Sequence, residues 1–258
     1  MKKILILPDI HGRVFWKEPC EKHDEYDKII FLGDYVDSYS HEMINKNDTV
    51  ENMLEIINFK TKVGDKCVLL VGNHDMSYID EQMMPSRHDW GNHKWICEIF
   101  DEFSDYFDLA YEANVNNQRY LFSHSGIEWP WVRSIKEDYH LNDITKENIV
   151  ESLNSLYHSD DKDLLRGILD RISFYRKGED IFGSCVWGDV RSFISHLQCG
   201  DEQIEDAYQI FGHTMLKEPC VTDKFACLDC LRPFVLNEGK IYNVNGSGVE
   251  IKQFQNNN

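Results

Sequence analysis

The chain has 258 residues, enough for one large α/β domain or two small ones, and 42% of them are hydrophobic, enough apolar material for a real core. Its 27 Lys and Arg stand against 45 Asp and Glu, a formal net charge of -18. That charge repels nucleic acid and acidic membranes unless a local basic patch or bound metal offsets it, so neither nonspecific nucleic-acid binding nor membrane attachment is expected.

The opening MKKILIL carries two lysines, but its apolar run breaks at Pro8-Asp9, too short for a signal-peptide core or a membrane span. A cytoplasmic location is expected. Lys3–Leu7 is β-type and leads to Asp9 and His11. Ile29–Leu32 leads in the same way to Asp34 and Asp37, and Val68–Val71 to Asn73, His74 and Asp75. Between them, Asn47–Lys60 carries Val50, Met53, Leu54 and Ile57 at helical spacing, and Trp95–Phe103 repeats apolar residues in the same way. Phe107–Ala113, a turn at Asn116-Asn117 and Arg119–Phe122 predict a hairpin, so the sheet is not purely parallel.

Residues 130 to 182 differ in pattern. Ile149, Val150, Leu153 and Leu156, then Leu164, Leu165, Ile168, Leu169 and Ile172, predict two amphipathic helices joined by the acidic turn His158–Asp161. We expect a helical insertion carried by a single domain spanning 1–258. Tyr120–Phe122 leads to His124 and Tyr208–Phe211 to His213, and after Gly212 strand-like runs return at Phe225–Leu228, Phe234–Leu236 and Lys240–Val244. The polar FQNNN ending is expected to fray. The eight cysteines are mostly scattered, and with no secretion signal they default to reduced thiols. Cys227-Leu-Asp-Cys230 alone has metal-like spacing, but nothing nearby completes four ligands, so these two are expected to be strand residues.

Five strand ends thus supply carboxylate, imidazole or amide oxygen. Singly, each of those residues could cap a helix, make a turn or sit satisfied in a core. Together they are the oxygen and nitrogen mixture that divalent metals take, placed where an α/β sheet holds its ligands.

The motifs DIHG (9–12), GDYVD (33–37), GNHD (72–75), SHSG (123–126) and FGHT (211–214) resemble, in order, those of the calcineurin-like metallophosphoesterases. The resemblance is strongest to the serine/threonine protein phosphatase branch, including bacterial members and their diadenosine-tetraphosphatase relatives. Met215, where the broader family often has a second histidine, favours that branch, and KFACLDC with FVLNEGKIY resembles its terminal strands. The resemblance implies a four-layer α/β/β/α sandwich and a binuclear metal site. Asp9, His11 and Asp34 would hold one ion; Asp34, Asn73, His124 and His213 would hold the other, with Asp34 bridging. Manganese is the first expectation, with iron, zinc, nickel or magnesium as alternatives. The implied reaction is hydrolysis of a phosphomonoester by a metal-bridging hydroxide, with the ions about 3.5–4 Å apart. His74 would donate a proton to the leaving group, oriented by Asp37.

The family's GDYVDRG arginine, which grips the phosphate, is replaced here by Ser38. Arg191, Arg13 and Arg87 are the candidate substitutes, with Arg191 in WGDVRS ranked first because the family carries an arginine in that region. Asp75 stands where the family usually has glutamate. The expected substrate is a phosphorylated small molecule or a phosphoprotein. A nucleotidase, dinucleoside-polyphosphate hydrolase or phosphodiesterase on the same metals is the rival enzyme reading, and a non-catalytic metal-binding scaffold the rival outside enzymes.

Overall fold

The computed structural model describes residues 3–83, 87–204 and 206–249. The FQNNN tail lies outside them. They fall into two compact units, one built from residues up to Asp108 together with Leu231–Gly248, the other from Leu109–Cys230.

The first unit contains β1 (Lys3–Leu7), α1 (Lys17–Glu21), β2 (Lys28–Phe31), α2 (Lys46–Val63), β3 (Cys67–Leu70), α3 (Asn73–Ile79), α4 (His93–Glu102) and β4 (Phe107–Asp108). The second contains β5 (Ala110–Val115), β6 (Gln118–Ser123), α5 (Trp129–Tyr139), α6 (Ile149–Tyr157), α7 (Lys162–Leu169), α8 (Val190–Cys199), β7 (Ala207–Phe211), β8 (Cys220–Val221) and β9 (Phe225–Cys227). The chain then returns to the first unit with β10 (Phe234–Asn237) and β11 (Lys240–Asn243).

The first unit's sheet runs β11-β10-β1-β2-β3-β4. Its four central and edge strands β1 to β4 are parallel, and β10 pairs antiparallel with both β1 and β11. Parallel strands covered on both faces read as continuous apolar runs, and Ile4 to Leu7, Ile29 to Phe31 and Cys67 to Leu70 are all buried. Helix α2 starts where the Asn45 side chain accepts from the Asn47 N–H, and it buries Val50, Met53, Ile56 and Ile57. Ile56 is buried in place of the expected Leu54, while Val50, Met53 and Ile57 keep their places, so the buried face rotates only slightly.

The second unit's sheet runs β5-β6-β7-β9-β8. Strands β6, β7 and β9 are parallel, with β5 and β8 antiparallel at the edges. The expected hairpin starts later than the sequence suggested, because Phe107–Asp108 pairs parallel with β3 and only Ala110 onward turns back on β6. Its turn residues Asn116 and Asn117 both have left-handed backbone, φ 51° and 64°, as a type I′ hairpin requires. Helices α6 and α7 flank the acidic turn as predicted; Asp161 caps α7 by accepting from the Leu164 N–H. No helix among the described residues is long and apolar enough to cross a membrane.

Candidate active site

In the first unit, β1, β2 and β3 are parallel neighbours, so their C-terminal ends share one edge of the sheet. Asp9 and His11 follow β1, Asp34 and Asp37 follow β2, and Asn73 and His74 open α3 after β3; all six are buried. His11, Asp34 and Asp37 adopt left-handed backbone with φ of 44°, 54° and 57°. Such conformations cost free energy in residues other than glycine and gather where a site needs them.

The three strand-end loops are tied to one another. His11 N–H donates to Asp34 O at 2.6 Å and Gly12 N–H to Tyr35 O at 3.1 Å. The Asp75 carboxylate accepts from the N–H groups of Asp34, Tyr35 and Gly72 at 2.7, 2.9 and 2.8 Å. Burial, with the neighbouring Asp34 charge, pushes this carboxyl well above the usual range, and the three N–H donors oppose that push. Here a short aspartate makes the stitching that the family's glutamate position left in question. Gly33 is required by the same closeness: at φ 109° its added Cβ would meet Gly72 N at 2.5 Å.

The donor set fits a metal. His11 Nδ1 lies 2.8 Å from Val36 O, so Nδ1 carries the proton and Nε2 is left as a lone-pair donor. That Nε2 stands 3.3 Å from Asp34 Oδ2 and accepts from Arg87 Nη2 at 3.3 Å. His11, Asp34 and His74 each bring one ligand atom within 4.8 Å of the others, all buried. Two lone-pair groups held this close are what a cation needs.

Asp37 and His74 form a pair beside this cluster. His74 Nδ1 lies 2.8 Å from Asp37 Oδ2 and 3.2 Å from Arg87 O. Both partners are acceptors, which places the proton on Nδ1 and turns Nε2 away from them. The other oxygen, Asp37 Oδ1, accepts from the Tyr78 hydroxyl at 2.5 Å and from Asp89 N–H at 3.1 Å. Burial and the Asp37 charge raise the Tyr78 phenol, keeping it a donor. Tyr78 was not singled out from sequence, although its place four residues after His74 on one helix face was visible there.

Of the three candidate arginines, two lie in this unit beside these loops. Arg87 donates from Nε and Nη2 to Asp37 O, both at 3.2 Å, and its guanidinium stacks 3.5 Å above the Tyr39 ring. Arg13 donates from Nε to both oxygens of Glu42 and from Nη1 to Asp9 O at 3.1 Å. Its Nη2 is buried and has no hydrogen-bond partner among the described residues. Ser38 makes only a long contact, Oγ to Ile44 O at 3.4 Å.

In the second unit, β6 and β7 are parallel neighbours and deliver His124 and His213 to one sheet edge. His124 Nε2 lies 3.0 Å from His213 Nδ1, both rings are buried, and His213 has left-handed backbone at φ 61°. Arg176, which no sequence motif marked, donates from Nη2 to His213 O at 2.8 Å and to Thr214 Oγ1 at 2.9 Å. Its Nε also pairs with Asp189 at 2.9 Å. Arg191 is committed locally: Nε and Nη2 donate to the two Asp189 oxygens at 2.8 and 2.9 Å, and Nη2 also reaches Tyr175 O. Although burial pushes Asp189 upward, the Arg191 and Arg176 guanidiniums hold its carboxyl below the usual range. Cys227 donates from Sγ to Gly212 O, and Cys230 is buried beside the strand.

Two mixed sheets with their helices match the metallophosphoesterase fold, and the chain belongs to the calcineurin-like phosphoesterase family, whose pattern it matches over residues 2–215. A probable serine/threonine-protein phosphatase of Encephalitozoon cuniculi is 24% identical over 217 residues, covering 81% of this chain. The match spans only 44% of that relative's length. Two crystal structures of a cold-active protein tyrosine phosphatase, one of a point mutant, share the fold at 14% identity. Their TM-scores are 0.54 and 0.53, over 93% and 95% of this chain and 77% and 79% of theirs.

Proposed function

We propose that the chain is a metal-dependent phosphomonoesterase acting on a phosphorylated small molecule or a phosphoprotein. The observation that carries this reading is the buried Asp37–His74 pair set at the same strand ends as His11 and Asp34. A pair built only for packing would not need two carboxylates and two imidazoles gathered at strand ends, with His11, Asp34 and Asp37 on left-handed backbone.

Following the family pattern, Asp9, His11 and Asp34 would hold one ion, and Asp34, Asn73, His124 and His213 the second. The ions, manganese first among the candidates, would supply Lewis-acid charge and an activated water. The chain's own residues do the rest. Val36 O fixes the His11 ring so that Nε2 faces Asp34. Asp37 holds the proton on His74 Nδ1, which leaves Nε2 to give a proton to the leaving oxygen as its bond to phosphorus breaks. Arg87, and Arg13 through its buried Nη2, are positioned to grip phosphoryl oxygens in the role the missing arginine at position 38 would have played. Arg191 ranks behind Arg87 because Asp189 engages both its Nε and Nη2, and Arg13, whose Nε is engaged by Glu42, offers only Nη2.

The test is steady-state hydrolysis of p-nitrophenyl phosphate and its bis ester by chelator-treated protein reloaded with Mn²⁺, followed by phosphoserine, phosphotyrosine and nucleotide substrates. Metal-dependent turnover preferring the monoester supports the proposal. Preference for the bis ester moves the site to diesters, the reading that Ser38 leaves open. No turnover with manganese, iron, zinc, nickel or magnesium would overturn it.

A further inference from the structure

A second group of metal-ligating side chains lies in the first unit, away from the strand ends. Helix α4 carries His93 and Cys97 four residues apart, on one face. Glu81, in the turn after α3, reaches the same point. His93 Nε2 lies 3.2 Å from Glu81 Oε1 and 3.7 Å from Cys97 Sγ, and the three residues bring one ligand atom each within 4.8 Å. A tetrahedral zinc ion with ordinary bond lengths separates its nitrogen and oxygen ligands by about 3.3 Å and its nitrogen and sulfur ligands by about 3.6 Å. The two Nε2 spacings match those values; Cys97 Sγ also lies 3.8 Å from His93 Nδ1, over the ring, so a side-chain rotation brings the sulfur into line with Nε2.

From these residues we propose a third cation site, formed by Glu81, His93 and Cys97, that takes a thiophilic divalent ion of the zinc class and leaves its fourth position to water. Thiolate softness sets it apart from the all-oxygen-and-nitrogen ligand set proposed above, which carries no sulfur and suits manganese. It does not depend on that reading.

The surroundings are built for a metal-bound imidazole. With His93 ligating through Nε2, Nδ1 holds the proton and donates to His88 Nε2, 2.9 Å away. His88 Nδ1 then donates to Ser77 Oγ at 3.2 Å, and Ser77 donates to His74 O at 3.1 Å. Every group in this chain has one tautomer that satisfies it, and burial favours the neutral form of His88 that the chain needs. The His88 ring is held by stacking on Tyr78, 4.2 Å between centroids, with Trp90 on it at 4.2 Å. His88 is therefore the orienting partner that metal-bound histidines carry, worth about 10- to 100-fold in metal affinity. Burial and the Glu81 charge raise the Cys97 thiol, so loading releases a proton as the thiolate forms.

The test uses Co²⁺ as a spectroscopic stand-in for zinc. The chelator-treated chain titrated with Co²⁺ should develop a thiolate-to-cobalt charge-transfer band that Zn²⁺ displaces. Cys97→Ser and His93→Gln should lose the band, His88→Ala should shift its midpoint by about 10- to 100-fold, and Asp34→Asn should keep it. A wild-type chain with no band, a band that persists in Cys97→Ser, or one lost in Asp34→Asn would overturn the assignment. A measurement on the unmutated chain guards against misfolded variants: Zn²⁺ should slow alkylation of Cys97, mapped by peptide mass, while leaving exposed Cys199 unaffected. Equal alkylation of Cys97 with and without Zn²⁺ would also overturn it.

Discussion

Asp37→Asn is the sharpest probe of the proposed proton donor. The carboxylate accepts from three donors: His74 Nδ1 at 2.8 Å on one oxygen, Tyr78 O–H at 2.5 Å and Asp89 N–H at 3.1 Å on the other. An amide offers one oxygen. Turned toward His74, it sets its NH₂ against the Asp89 N–H, whose hydrogen cannot rotate away. Turned the other way, it sets NH₂ against His74 Nδ1, which must give up its proton and become the acceptor. The second arrangement keeps two good bonds and converts the imidazole to the neutral form. Loss of the charge-assisted bond is worth about 1.5–3 kcal/mol, or roughly 10- to 150-fold, and loss of the charged donor extends the fall toward about 10²–10⁴-fold. That fall belongs to substrates whose leaving group needs a proton. The assay is kcat on an alkyl phosphate beside p-nitrophenyl phosphate, with metal content checked by elemental analysis. The alkyl ester should lose about 10²–10⁴-fold and the nitrophenyl ester far less. Equal loss on both, at unchanged metal content, would refute the general-acid assignment.

Arg87→Ala should raise KM for phosphomonoesters by about 10- to 150-fold, one charge-assisted contact, while Arg191→Ala leaves KM unchanged; a reversed order would return Arg191 to first place. Asp34→Asn should lower metal content at every site that this carboxylate serves, read by elemental analysis, and full loading would remove it from the ligand set. Gly33→Ala should destabilise by about 1–3 kcal/mol from backbone strain alone, with the Cβ contact to Gly72 N adding to it, and an unchanged Tm would contradict the close approach. Asp189, whose folded carboxyl lies below its usual range, contributes stability that is present above the unfolded value near about 4 and is lost as pH falls through the folded one. Asp189→Asn should therefore lower Tm at neutral pH and converge on the wild type in acid, and a constant offset across pH would count against the ion pairs as its source.

What was legible in the sequence was local. A short apolar run followed within four residues by Asp, His or Asn marks a buried strand and its exit together, and all five such exits lie at strand ends. The hairpin turn announced itself through Asn116-Asn117, whose side chains tolerate left-handed backbone. The parts that escaped are those in which one segment answers another far along the chain. Arg87 lies 13 residues beyond His74, yet its carbonyl meets the His74 ring and its guanidinium meets His11. Neither contact leaves a periodicity. Arg176 sits in a segment without motif and is recognisable only once the backbone brings it to His213 O.

The ranking of Arg191 over Arg87 rests on a local signal that carries two readings. WGDVRS offers an arginine where the family pattern wants one, but the same six residues also contain its captor. Asp189 caps α8 by accepting from the Arg191 N–H, and a carboxylate in that position has an oxygen face turned toward the side chain two residues on. The sequence DVR at a helix start therefore predicts a closed ion pair at least as strongly as an available guanidinium. Arg13 and Arg87 carry no such partner two residues away; both lie along the faces of one tyrosine, Tyr39, with their charge directed at the loops that bear Asp9, His11 and Asp37. Arg87, which meets the Asp37 backbone carbonyl, keeps more of its positive charge uncompensated than Arg13, whose Nε pairs with Glu42, and that is the form in which a phosphate would find it.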